Sequence, residues 1–214
     1  MTDIVDLLPE VGQYIRKCPT RTLRVAYLRA ARQFCAQTRW LRADASLVTT
    51  NTVANVSDYT LSIADATQEI VGIRDMKGYQ VSAPTQWWPI KPLDATEFNP
   101  GAGTGTPNRY AYVPDAQIKL FQTPNAAYGL TITAAVQPKL TATAIDSTLV
   151  TKWKEVLEAG ALEYLFGLPQ QAWSNGAMME KYGKVFHAGI NNAKGDEQRG
   201  FNQGAQRVRP RRII

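Results

Sequence analysis

The hydrophobic rhythm of this chain changes twice, and those changes limit the folds open to it. Between Thr20 and Leu41 the apolar positions step by three or four, through Leu23, Tyr27, Ala30, Phe34, Thr38 and Leu41. That is the period of a helix with one buried face. From Ser46 to Pro138 the texture is Val, Thr, Tyr and Ile broken by Asn, Asp, Gly and Pro, the composition of strands and turns. The helical period then returns at Val150, Trp153, Val156, Leu157, Ala161, Tyr164 and Leu165.

Local signals place the ends of these segments. Pro9 suits the first position of a helix, Val11, Tyr14, Ile15 and Cys18 recur on one side, and Pro19 stops it. Thr20 or Thr22 can cap the second helix, and Asp146, Ser147 or Thr148 the third, which ends at Gly167-Leu168-Pro169. Asn175 or Ser174 caps a fourth helix through Met178, Tyr182, Val185, Phe186 and Ile190. In the middle, EIVGIRDM, Lys77-Gly78 and YQV predict a hairpin turning at Lys77-Gly78, and strands are expected around Ile118–Phe121 and Leu130–Val136. Phe98–Asn108 is a Gly/Pro/Thr loop, read as a contact to a neighbour. Past Ala193 the apolar period is lost, and that segment needs a partner to order it. No fixed-period repeat is present.

The expectation is an α+β fold: a four-helix bundle, two helices from each end of the chain, with an inserted antiparallel β lobe and an extended C-terminal tail. Its segments are 1–45 (N-terminal helices), 46–140 (β-rich lobe), 141–193 (C-terminal helices) and 194–214 (basic tail). A chain of 214 residues, 44% hydrophobic and 20% charged, can bury a real core. No apolar run approaches the ~18 residues of a membrane span, and the start MTDIVDLLPE is acidic. The reading is of a protein made and kept in a cytoplasm, without membrane contact.

The net charge of +6 is unevenly placed. Eight Lys or Arg and no acidic residue lie between Arg16 and Arg42, and RVRPRRII closes the chain with four more Arg. Ser46–Val150 holds six basic and eight acidic residues. On a helical wheel Arg21, Arg24, Arg32, Arg39 and Arg42 oppose the apolar stripe. This basic stripe has three readings: DNA phosphates in a lumen, carboxylates of an adjacent copy, or solvent. Trp87-Trp88, between Pro84 and Pro89, can stack bases or anchor an interface, with one ring buried and the other partly covered at a subunit contact. The tail combines forks of Arg with an Ile-Ile anchor, which suits docking in a groove; the alternative is a solubilising end.

No residue set supports catalysis, so no enzyme and no cofactor is expected. His187 is the sole histidine and reads as a packing or surface residue. Glu155, Glu158 and Glu163 alternate with Lys152 and Lys154 as a self-pairing face. GAGTG lacks the Lys and Ser/Thr of a phosphate loop. Cys18 and Cys35 are too few for a disulfide framework or a zinc site.

AARQFCAQTRW (Ala30–Trp40) and FGLPQQAWSNGAMMEKYGKVFHAGI (Phe166–Ile190) resemble the helical signature of the head-to-tail adaptor proteins of tailed bacteriophages. The order of helices, β-rich middle, helices and polar tail matches as well. The resemblance implies a structural virion protein, assembled in the host cytoplasm into a homo-oligomeric ring, usually of twelve copies. The ring would sit beneath the portal protein, join it to tail or nozzle proteins and pass the double-stranded genome through its lumen. It implies a portal-docking tail at Arg207, Arg209, Arg211, Arg212, Ile213 and Ile214, and a β lobe whose Trp87 and Trp88 face the tail. A ring needs two different complementary faces, which the basic N-terminal and acidic central regions supply. Other classes stay open: a sequence-independent DNA-binding protein, or a stopper or tail-tube protein, which should lack the helix pair after the β lobe.

Overall fold

The computed structural model describes residues 1–93 and 103–198. It begins with a short strand β1 (Thr2–Asp3), a 3-10 turn (Ile4–Leu7) and α1 (Leu8–Gly12), followed by α2 (Thr20–Thr38). The central strands are β2 (Arg42–Leu47), β3 (Asp58–Ile63), β4 (Gln68–Gln80), β5 (Ala83–Pro89), β6 (Lys91–Pro92), β7 (Thr104–Gly105), β8 (Arg109–Val113), β9 (Gln117–Phe121), β10 (Thr123–Pro124) and β11 (Tyr128–Pro138). β12 (Ala144–Ile145), α3 (Ser147–Phe166) and α4 (Gly176–Gln198) complete the described chain.

The expected four-helix bundle with an inserted lobe is not what forms. The dominant element is a nearly closed eight-stranded sheet in the order β5-β4-β11-β2-β3-β9-β8-β6. Only α2, α3 and α4 are long, because the first helix stops after five residues at Gly12. Glycine is a poor helix former, and the chain then turns through Lys17, at φ 65°, toward the extended conformation of Pro19. Ile15 is nevertheless buried, by folding inward from the turn.

The sheet closes through a single segment. Pro89 at the end of β5 pairs with Lys77 of β4, whereas two residues later Lys91 of β6 pairs with Arg109 of β8. Ile90, between them, is 3% exposed and donates its N–H to the Met76 carbonyl at 2.9 Å. The two edges of the sheet therefore meet at Ile90, around an interior that includes Tyr59, Leu61, Met76, Ile118, Leu120 and Ile132. Closure removes most of the unpaired backbone that an open sheet would present.

Two local readings change with it. Lys77-Gly78 is not a turn, since β4 runs straight through it to Gln80 and reverses at Val81-Ser82. Gly78 is small because Trp88 lies on it: a Cβ there would come within 2.8 Å of the indole. The second helix ends at Thr38, not Leu41, with Arg39 taking the left-handed cap at φ 52°. Thr38 donates its hydroxyl to the Phe34 carbonyl at 2.8 Å, and Leu41 joins the sheet by accepting from the Val136 N–H at 3.0 Å.

The helices pack on the sheet in one continuous core. Leu23, Ala26, Tyr27, Ala30, Ala31, Phe34, Cys35 and Thr38 form the buried stripe of α2. Its alanines let α3 and α4 come close, and at Gly160 an added Cβ would meet the Phe186 ring at 2.8 Å and Ala30 Cβ at 2.9 Å. Asp146 caps α3 by accepting from the Thr148 N–H at 2.8 Å, and Asn175 caps α4 by accepting from the Met178 N–H at 3.1 Å.

Candidate interaction surfaces

The arginines of the basic stripe fall into separate environments. Arg21 is exposed. Arg24 donates to the Ala142 carbonyl at 3.0 Å. Arg32 donates to the Pro138 carbonyl at 2.8 Å and pairs with Glu69 at 2.8 Å. These two therefore bolt α2 to the end of β11 and the loop after it, where charge-assisted bonds hold tightly. Arg39 and Arg42 lie beyond the helix proper, beside Arg74 of β4, which sequence reading did not single out.

Arg42 and Arg74 converge on Glu197, in the last turn of α4. Burial lowers the pKa of the Arg74 guanidinium, and the charges of Arg42 and Arg39 lower it further. Arg74 sits at a register shift of β4, between pairs Thr133–Asp75 and Ala134–Ile73, which turns its side chain out to meet α4. Replacing Glu197 with Ala should cost about 2 kcal/mol, because two half-buried guanidiniums lose a shared carboxylate. Urea denaturation measures that loss, and the last turn of α4 should fray in hydrogen exchange.

The opposite end of the sheet has a different character. Thr52 N–H bonds to the Tyr128 carbonyl and Asn55 N–H to the Pro124 carbonyl, each at 2.8 Å, while Asn125 N–H reaches Gly105 at 3.2 Å. Tyr59 fixes the same loop, its hydroxyl donating to the Val56 carbonyl at 2.8 Å and accepting from the Val53 N–H at 2.9 Å. The segments gathered here, 48–57, 79–83, 103–108 and 121–130, contain no Asp, Glu, Lys or Arg, and the exposed Asp58 borders them. Val48, Val53, Val56 and Val81 are all exposed on them. The result is a partly apolar rim that is poor in charge.

Trp87 and Trp88 lie on β5, at the side of this rim. Trp88 is half-buried, donates its indole N–H to the Pro107 carbonyl at 2.8 Å and stands edge-on to Tyr128 at 5.6 Å. Trp87 is 61% exposed, with Lys77 Nζ 4.7 Å above its ring. The strand thus spends one tryptophan on closing the sheet and presents the other outward.

Ionisable groups of the helices pair between elements. Lys152 meets Asp196 at 3.0 Å and Lys154 meets Glu10, so the expected self-pairing face of α3 is shared with α1 and α4. His187, more than half exposed, lies 3.8 Å from Glu163. Burial pushes the Cys35 thiol up to about 12. Among the described residues no group of three His, Cys, Asp or Glu is placed to hold a metal, and no helix is long and apolar enough to cross a membrane. The portal-docking candidates Arg207, Arg209, Arg211, Arg212, Ile213 and Ile214 lie outside the described residues, as do Phe98 to Ala102 of the central loop.

The two ends of the molecule thus differ in chemistry, with arginines paired to Glu197 at the helical end and a charge-poor rim at the other. The chain belongs to the SU10 adaptor protein family, whose model matches residues 2–211. It is accordingly a phage structural adaptor, a component of the virion neck that associates with other virion components. No curated protein matches the chain significantly.

Proposed function

We propose that the chain assembles as a ring, with twelve copies expected, beneath the portal, where it joins capsid to tail and lets the genome pass. One observation carries this reading: family membership over nearly the whole chain coincides with a molecule whose two ends differ in chemistry. The described residues end on α4, which Glu197 anchors to Arg42 and Arg74 at the helical end. The charge-poor rim and Trp87 lie toward the other end and suit tail or nozzle proteins. The ring makes weak tail contacts sufficient, because many act together at high effective concentration. No catalysis is part of this role.

DNA contact in the reading is transient. Arg24 and Arg32 bond the protein's own carbonyls and Arg42 pairs with Glu197, so within the stripe the exposed Arg21 and Arg39 are the candidates for DNA or an adjacent copy. The helix pair α3–α4 after the sheet supports this reading over a stopper or tail-tube protein, which should lack it.

The test is the mass of the protein in solution by light scattering, alone and mixed with portal rings at moderate salt. The expected result is a ring, free or formed on the portal. Deleting Gln206–Ile214 should leave a folded, soluble protein that no longer joins portal particles; retained association would remove the docking role of the tail. A protein that ignores the portal and binds duplex DNA, with affinity falling steeply as salt rises, would replace the adaptor reading.

A further inference from the structure

The N-terminal segment is held to the helices by a small apolar set and one charged cluster. β1 pairs with β12, Ile4 N–H bonds to the Thr143 carbonyl at 3.0 Å, and Leu7, Leu8, Val11 and Ile15 are buried. Between them Glu10 of α1 reaches α3, where it meets Lys154 and, one turn on, Glu158. Lys154 and Glu158 are one turn apart on α3, so both carboxyls face one ammonium, and two carboxyls so placed hold together best while one carries a proton, since a carboxylate has no donor.

We propose that Glu10, Glu158 and Lys154 form a proton-controlled latch that fastens the N-terminal segment to α3 and loosens when the shared proton leaves. Glu158 Oε1 is buried without a hydrogen-bond partner, and so is the hydroxyl of Tyr27 on α2, which feels both carboxyls. A proton on Glu158 supplies the missing donor to Glu10. Its loss to solvent leaves two carboxylates facing one ammonium, with Glu155 adding further negative charge. α4 reaches the segment through Tyr182, whose ring stands edge-on to Tyr14 at 6.1 Å.

Electrostatics place the proton on Glu158. Burial, then the contact with Glu10, pushes its carboxyl up to about 7, against a smaller opposing pull from Lys154. Glu10 is held below the usual range by its bonds to Glu158 and Lys154. A raised carboxyl stabilises the fold below its unfolded value of 4.5 and loses that contribution as pH climbs through about 7. Glu10 has the opposite sign, contributing above the ordinary carboxylate range and losing its effect in acid. The segment is therefore tightest in mild acid and loosens as pH rises past neutrality.

Hydrogen exchange on the full chain, corrected for intrinsic rates, tests this on the amides of residues 4–15. Protection should fall about 25-fold between about pH 5.5 and about pH 8, the change expected when a carboxyl held at about 7 in the closed segment and at 4.5 in the open one loses its proton. The drop should vanish in Glu158→Gln. Unchanged protection in the wild type, or the same drop in the variant, would overturn the latch. A carboxyl-detected NMR titration of Glu158 in the wild type decides independently of whether the variant folds: a midpoint near 7 supports the latch, and one in the ordinary glutamate range sinks it.

Discussion

Gly160→Val should lower stability by about 3 kcal/mol, which for a chain of this size is a fall in Tm of about 6–12 °C. The position is where α2, α3 and α4 meet, and a Cβ would come within 2.8 Å of the Phe186 ring and 2.9 Å of Ala30 Cβ. Neither neighbour is the free end of a flexible chain, as Phe186 is 1% exposed and Ala30 3%. Even Ala at this site gains only about 1 kcal/mol of helix propensity, less than the overlap costs. Gly176→Ala is the control, because nothing lies within 4 Å of its added methyl; it should be neutral or slightly stabilising. Calorimetry of the two variants side by side makes the comparison, and equal effects would mean the helices are not in the close contact described.

Trp88→Ala should cost about 3 kcal/mol, toward the low end for removing a large aromatic because the ring is half-buried. It loses the bond to the Pro107 carbonyl, the edge-on contact with Tyr128 and the cover over Gly78. Since Trp88 lies two residues from Ile90, where the edges meet, exchange should rise first in residues 83–93. Trp87→Ala, by contrast, should shift stability by less than about 0.5 kcal/mol, because its ring is 61% exposed. A large loss from Trp87→Ala with none from Trp88→Ala would reverse the roles assigned to the pair.

What could be read in the sequence was whatever depends on near neighbours. Asp146 and Asn175 cap α3 and α4 as expected, because a cap is settled within three residues. The buried stripe of α2 and the strands β9 and β11 follow from periodicity alone. Sheet closure could not be read, since nothing near Pro89 or Lys91 says that one faces β4 and the other β8. Gly78 misled for a related reason: its small size serves a ring ten residues away, and a Lys-Gly pair looks the same when it turns the chain. The arginine stripe does not lie on one helix, because α2 ends at Thr38 and Arg39 and Arg42 follow it. Arg74 and Glu197 come from distant elements, and the carbonyls that engage Arg24 and Arg32 carry no sequence signature.

The anchoring of α4 has a mechanical consequence. A pull applied beyond Glu197 enters the sheet through Arg42 and Arg74, on the two strands that flank β11. Because β2 and β4 both run antiparallel to β11, tension directed along them loads their cross-strand bonds in shear, so that many must stretch together instead of parting one after another. The far end of the same strands is the charge-poor rim. Tension received at the helical end would thus travel the length of the sheet before reaching that rim, and the β sheet, not the helices, would serve as the tie rod of the molecule.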